Sequence, residues 1–463
     1  MQQERFHIDP YNVEGNIDYE RYAKDYGMQL INEELERRIL KYTGTLHPLL
    51  RRHIFYAHRE LNWLLDEYEK GNKFYIYTGI APSGTMTLGH LIPFMFAQWL
   101  QEKFDTEIYI QIPDEEKYLI KKDPSLTLDK IHEYAYDDAL TIIALGFKKA
   151  KTKIFLDTEY AGVLYKQAVR VAKHITFSMI KDAFGFTNET NIGSIFYTSL
   201  QSVPAFLKSV EEGRNVPCLI PLAIDQDVHF RIARDVLVKL GYYKPAIIYA
   251  KFLPGLSGKP KMSASNPSDT IYINDSPEVI EKKIFKAYTG QQATAELQRK
   301  YGGNPDKCVV CQYYKYIFEP DDKKLELIFE GERNGTLLAG EHKKDLAKRV
   351  VKFITHIQNR KEHLRSELDK FIFSMMSNAY ALSLIVTIVV VAFGVGISGI
   401  LARYAYGNES LALPLALGAI MVFFSVVYNL SISALIGIGK VASSSYSVIV
   451  YSIAQLVFVL ALV

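Results

Sequence analysis

The chain has 463 residues, 49% of them hydrophobic and 23% charged, with a formal net charge of +3. That length fits two to four domains, the composition excludes a mainly disordered chain, and the small basic excess leaves any case for nucleic acid to local clustering. Three cysteines (Cys218, Cys308, Cys311) exclude a disulfide framework and favour a reducing compartment.

The opening residues, MQQERFHIDPYNVEG, have no apolar core and no cleavage-site pattern, so a signal peptide is not expected. Residues 1–70 are polar and aromatic. Within them NEELERRILKYT and HRELNWLLDEYEKG read as amphipathic helices, the second closed by Gly71. NKFYIYTGIAPSG is an aromatic, β-branched run and predicts a strand. TLGHLIPFMFAQWLQEKF follows with apolar residues at helical spacing. DTEIYIQIPDEEKYL reads as strand, turn and helix. AKTKIFLDTEY, PCLIPLAIDQDVHFRIARDVLVKLGY and PAIIYAKFLPG repeat the strand-then-helix rhythm. That alternation predicts βαβ units on a parallel sheet. From 276 to 374 the chain becomes mostly helical and basic.

Two stretches carry chemistry. In APSGTMTLGHLIPF a strand turns into a helix, whose free N–H groups and positive dipole end favour an anion. Gly79, Gly84 and Gly89 permit tight turning and close approach of a flat ligand. Thr87 and His90 stand on one side of this loop, where both can touch phosphate oxygens. The second stretch is GKPKMSASNPSDTIYIND. Lys261, Met262, Ser263 and Ser265 lie beyond Gly255, Gly258 and Pro260, the composition of a lid over a triphosphate. Gly258–Lys259 is not a Walker A loop, because the six-residue glycine spacing is missing.

Together the two stretches resemble the paired signatures of class I aminoacyl-tRNA synthetases, and the Ala in KMSAS is similar to tryptophanyl enzymes of archaeal and eukaryotic type. DPYNVEGNIDYERY, FYIYTG, DEEKYL, NIGSIFYTSLQSVPAF, LIPLAIDQDVHFRIARDV and GYYKPA extend the likeness from about residue 8 to residue 373. The resemblance implies activation of L-tryptophan with MgATP and transfer to the 3′ end of tRNA(Trp) by a homodimer, without a protein nucleophile. It assigns Lys261, Thr87, His90, Ser263 and Ser265 to catalysis. It assigns Gly79, Gly89, His90, Lys117, Asp225, Lys261 and Met262 to ATP. Tyr77, Gln111, Glu116, Gln201 and Gln226 surround tryptophan. Tyr77 and Glu116 are set against the indole nitrogen, and the three glutamines against the α-amino group and part of the ring. Two positions depart from the family: Thr87 stands where a His is usual, and Ile80 where an Arg is usual. Either ATP binds more weakly, or Lys117 and Lys261 supply the missing charge.

The helical region 276–374 resembles the anticodon-binding domain, with a basic face that includes Lys343, Lys344, Lys348, Arg349 and Lys352. Tyr301, Tyr313, Tyr314 and Tyr316 serve either as stacking surfaces for bases or as core. Cys308 and Cys311 form one CxxC with His342 as nearest further ligand; no second pair exists, so no protein-bound metal is expected, Mg²⁺ arriving with ATP.

Beyond the likeness, no charged residue occurs in Met376–Ala402, Leu411–Gly439 or Val441–Val463. Each stretch exceeds the roughly 20 residues that span a bilayer. Three transmembrane helices are expected, at about 380–401, 411–433 and 443–463. A second reading frame joined near Met375–Met376, a membrane-attached synthetase and a non-membranous tail are three readings of this segment. In the attached reading the synthetase is cytoplasmic, with Arg403 outside and Lys440 inside.

The expected architecture is therefore α/β. An appended region spans 1–70, a Rossmann-type catalytic domain 71–275, a helical anticodon-binding domain 276–374, and a hydrophobic tail 375–463. Its rivals are a tyrosyl-type ligase, a catalytically impaired relative that binds RNA, and a transporter with a nucleotide-binding head. The absence of acidic and basic residues within the spans argues against the last.

Overall fold

A computed structural model describes residues 7–8, 13–14, 17–120 and 123–437. The chain divides into two compact units, Met1–Glu362 and His363–Val463.

In the first unit, β1 (His7–Ile8) pairs antiparallel with β2 (Val13–Glu14). The main sheet contains β3 (Gln29–Leu30), β4 (Phe55–Arg59), β5 (Tyr75–Gly79), β6 (Ile108–Ile112), β7 (Thr152–Leu156), β8 (Cys218–Ala223) and β9 (Ala246–Ala250). Its order is β3-β4-β9-β8-β5-β6-β7. The five strands from β9 to β7 are parallel, as the strand-helix rhythm predicts. Strands β8 and β9 are continuous apolar runs, and β6 is interrupted only by the buried Gln111, the pattern of strands covered on both faces.

The region before residue 70 contributes more than two helices. Its β4 pairs antiparallel with β9 and carries β3 beyond it, so this segment forms the sheet edge. The helix Glu33–Thr43 starts at Asn32, whose side chain accepts from Leu35 N at 2.9 Å, and ends at Gly44 with φ of 71°. The second helix is shorter than its sequence suggests, at Leu61–Glu69, because the preceding His and Arg belong to β4.

Successive strands β5, β6 and β7 step to one side, and the chain then returns to place β8 on the other side of β5. The carboxyl ends of β5 and β8 therefore flank the topological switch point, where open α/β sheets bind ligands. Below it lies an aromatic core that includes Tyr75, Tyr77, Phe206, Phe230 and Tyr249.

The second unit begins within the helix Ala339–Ile400 and turns through Leu401–Ala405 and Gly407 into the helix Ala412–Gly437. Among the described residues, two segments, Ala381–Ala405 and Glu409–Ile432, are long and apolar enough to cross a bilayer, with mean hydropathies of 2.7 and 2.3. They match the first two expected spans. A Cβ at Gly394 would lie 2.8 Å from the Ala419 Cβ, so small residues let these helices approach closely. The expected span at 443–463, Lys440 and most of DPYNVEG lie outside the described residues.

Candidate active site

A cavity of about 240 Å³ opens at the switch point. Its walls come from Tyr77–Ala81 at the end of β5, Gln111 and Pro113 at the end of β6, and Leu222–Gln226 around the end of β8. Lys261, Met262 and Ala264 close one side. Gly79 is required by the sheet itself, since a Cβ there would lie 2.5 Å from the Gln111 carbonyl oxygen. At Gly89 a Cβ would make only ordinary contacts, 3.6 Å from the Met262 Cβ. The packing there tolerates a side chain, so internal contacts do not account for the glycine.

Thr87 and His90 form a reciprocal cap on the helical turn Leu88–His90. His90 N donates to the Thr87 hydroxyl at 3.4 Å, and Thr87 N donates to His90 Nδ1 at 3.2 Å. Because Nδ1 accepts, the ring proton sits on Nε2, which is left to donate. Burial, then the charges of Lys261 and Lys117, push the His90 pKa down to about 4. His90 is therefore a neutral donor at pH 7. Thr87 departs from expectation: it is fully buried, its hydroxyl serves the cap, and it does not line the cavity. Only His90 of the pair faces the ligand space.

Lys261 and Asp225 meet at the cavity wall, with Lys261 Nζ 2.6 Å from Asp225 Oδ2. Asp225 Oδ1 is buried without a hydrogen-bond partner among the described residues. Such an atom costs stability until a donor arrives. Lys261 also lies 4.8 Å from the centre of the Phe252 ring. Met262 lines the cavity and is anchored by its N–H to the Leu253 carbonyl at 2.8 Å. Ser263 and Ser265 do not line it. They are exposed, and their hydroxyls lie 2.9 Å apart.

The closed end of the cavity is polar. The Tyr77 hydroxyl donates to Gln111 Oε1 and lies 3.2 Å from the Gln201 carbonyl. Gln111 Nε2 donates to Asp157 Oδ2 at 2.6 Å. The Tyr197 hydroxyl lies 2.6 Å from Gln201 Oε1 and 3.1 Å from Glu116 Oε2. Lys117 pairs with the other Glu116 oxygen at 2.7 Å. Gln226 lines the same space. The cavity thus gathers all five residues expected around tryptophan, together with Lys117 and Asp225.

Three residues in this network escaped the sequence reading. Asp157 follows directly after β7 and sets the orientation of the Gln111 amide. Burial raises its pKa to about 7, against the pull of the Gln111 hydrogen bond. Glu115 is likewise pushed up, chiefly by burial and next by the Asp157 charge. Tyr197 stands one helical turn before Gln201, a spacing that puts both on one face. An acid just past a parallel strand and an i,i+4 Tyr–Gln pair were the available signals.

On the helix that begins at Ala339, Lys344, Lys348 and Lys352 are exposed at i, i+4 and i+8 and form one stripe. Lys343 and Arg349 are occupied. Lys343 Nζ donates to the Phe285 carbonyl at 2.9 Å, and Arg349 binds Asp345 at 2.8 Å and Glu319 at 3.0 Å. Tyr313, Tyr314 and Tyr316 are core, whereas Tyr301 is exposed. Outside the cavity, Cys308 and Cys311 do not stand with His342 alone: Glu332 completes a buried group of four.

The sequence matches the family described as tRNA synthetases class I (W and Y) over residues 69–355. It is 45% identical over 370 residues to the tryptophan–tRNA ligase of Saccharolobus solfataricus, covering 80% of this chain and 95% of that protein. Among solved structures, the Plasmodium falciparum tryptophanyl-tRNA synthetase superposes with a TM-score of 0.69 at 38% identity, over 75% of this chain and 94% of its own. The Encephalitozoon cuniculi tryptophanyl-tRNA synthetase, solved bound to tryptophan, gives 0.69 at 35% identity, over 75% and 95%.

Proposed function

The chain belongs to the class I aminoacyl-tRNA synthetases as a tryptophan–tRNA ligase, and we propose that the cavity between β5 and β8 is where it activates tryptophan. The observation that carries this reading is the placement of a neutral Tyr77–Gln111 pair and a charged Glu116 in the same cavity as Lys261 and Asp225.

The amino-acid end follows from charge. The indole N–H is neutral and only donates. The Tyr77 hydroxyl already gives its proton to Gln111, so its oxygen is free to accept, and no ion is needed nearby. A carboxylate suits the α-ammonium group better. We therefore exchange two expected roles: Tyr77 with Gln111 takes the indole nitrogen, and Glu116 with Gln201 and Gln226 takes the ammonium group. Tyrosine is disfavoured because its phenol oxygen also needs a donor, and Tyr77 has already given its only proton to Gln111.

At the ATP end, the bare Gly89 backbone receives the adenine. The unpaired Asp225 oxygen accepts a ribose hydroxyl. That interaction competes with the Asp225–Lys261 pair and releases Lys261 toward the phosphates. His90 donates from Nε2, and Lys117 adds a second cation at the same wall. This pair of lysines and a neutral imidazole replaces the charge that Ile80 and Thr87 do not provide. Mg²⁺ enters as part of the MgATP substrate.

The tryptophan carboxylate attacks the α-phosphorus, and the bond to pyrophosphate breaks. The terminal 2′-OH of tRNA then attacks the activated carbonyl and displaces AMP. The protein's share is positioning and charge stabilisation. The exposed Lys344–Lys348–Lys352 stripe contacts tRNA phosphates in the helical region 276–374. A homodimer, a cytoplasmic active part and membrane attachment through the two apolar helices complete the reading. Charging of tRNA(Trp) with radiolabelled tryptophan tests it. Tryptophanyl-tRNA formation that needs both ATP and Glu116 supports it, and full charging by a Glu116→Ala variant overturns the assignment.

A further inference from the structure

Cys308 opens the short helix Val309–Tyr313 and Cys311 lies within it. Glu332 belongs to the helix Asp322–Arg333, and His342 to the helix that starts at Ala339. Three separate helices thus bring two thiols, a carboxylate and an imidazole together. Their ligand atoms all lie within 4.8 Å of one another, and all four residues are buried. None lines the cavity described above.

Without a cation this arrangement is costly. Glu332 is fully buried, and its Oε1 has no hydrogen-bond partner among the described residues. His342 is 2% exposed, and neither ring nitrogen has an aligned partner among the described residues. Its Nδ1 is 3.1 Å from Glu332 Oε2, out of line for a hydrogen bond. Cys311 Sγ is 3.3 Å from the same oxygen. Cys311 and Gln291 satisfy Glu332 Oε2, but Glu332 Oε1 and the imidazole nitrogens still carry a desolvation penalty.

A metal removes the penalty. Tetrahedral zinc, with bonds of about 2.0 Å to N or O and 2.3 Å to S, has ligand-to-ligand edges of roughly 3.3–3.8 Å. The two short distances already have this scale, so only a small contraction closes the set. The surroundings also fit a ligand shell. The Tyr314 ring stacks on the His342 imidazole at 5.1 Å and 9°, which fixes the ring plane. Gln291 Nε2 lies 3.4 Å from Glu332 Oε2. Two thiolates and an imidazole select zinc over magnesium or calcium, and four protein ligands leave no open position.

We propose that Cys308, Cys311, Glu332 and His342 bind one Zn²⁺ ion in a structural site that ties these three helices together. Binding releases the two thiol protons to solvent, with no change of oxidation state. The site is separate from the tryptophan cavity and does not depend on the reading given to that cavity.

The test is metal analysis of the full chain, purified in mild detergent, exposed to Zn²⁺ and then freed of excess. Inductively coupled plasma mass spectrometry is expected to find one zinc per chain. The Cys218→Ser variant keeps it, and the Cys308→Ser/Cys311→Ser variant loses at least nine-tenths. Cobalt in place of zinc gives the intense visible bands of a tetrahedral thiolate site, absent in the double variant. Should the double variant not fold, a mercurial titration of the wild-type chain decides, because zinc release must track modification of two of the three thiols. A folded chain that takes up no stoichiometric zinc overturns the proposal. So does zinc that persists without both thiols, or iron with labile sulfide in its place.

Discussion

Replacing Tyr77 by Phe removes one oxygen from the closed end of the cavity and almost no volume. Tyr77 is 1% exposed, and its hydroxyl is the donor to Gln111 Oε1. With tryptophan bound, the variant leaves two buried groups unpaired, the indole N–H and that amide oxygen. Water cannot take the place of the hydroxyl, because Gln111 is wholly buried. One buried unsatisfied polar group costs about 1–3 kcal/mol. That corresponds to a fall of roughly 5- to 150-fold in kcat/KM for tryptophan, with little effect on KM for ATP. Phenylalanine, which has no ring N–H, loses far less, so the preference for tryptophan narrows by a similar factor. Amino-acid-dependent ATP–pyrophosphate exchange reads both numbers. A Tyr77→Phe enzyme within twofold of wild type for tryptophan would refute the assignment of the indole nitrogen.

Lys261→Met removes the cation freed from Asp225, and exchange is expected to slow by about 10²- to 10³-fold, the scale of one lost charge-stabilising donor; unchanged exchange contradicts its role. The triple variant Lys344→Glu, Lys348→Glu, Lys352→Glu is expected to weaken tRNA charging and flatten its salt dependence while exchange stays intact, as measured over a salt series. His47, His58, His90 and His229 are all held near pKa 4, chiefly by burial. Their folded values lie below the ordinary 6.5, so the unfolded chain binds more protons and stability falls as pH drops from about 6.5 toward 4. For the nearly inaccessible His58 and His229 the effect is on the order of 3 kcal/mol each, and thermal melts between pH 7 and 4 must show it. Fractionation of native cells by immunoblot is expected to place a full-length band with membranes; a soluble band near the mass of residues 1–374 would contradict attachment.

The parallel part of the sheet was legible because β8 and β9 are short apolar runs, β6 is apolar but for Gln111, and helical spacing follows β6 and β8. The antiparallel edge was not. FYAHR is mixed in character and lies next to a helix-like pattern, and its pairing with β9 and β3 makes it a strand. At the site, spacing alone could place His90 beside Lys261 only through family resemblance, because 170 intervening residues separate the two loops. Thr87 shows the limit of that method. Its neighbourhood to His90 in sequence suggested a shared ligand, whereas the local turn spends its hydroxyl on a cap. Glu332 was invisible as a partner of the cysteines, since no ligand spacing links it to them and three helices have to pack before the four side chains meet.

The most direct measurement is ATP–pyrophosphate exchange by the full chain with tryptophan and tyrosine side by side. The account predicts exchange that depends on tryptophan and is at least 10³-fold weaker in kcat/KM with tyrosine, the scale that unpaired buried polar groups impose. Comparable exchange with tyrosine, or none with tryptophan in a folded chain, would contradict it.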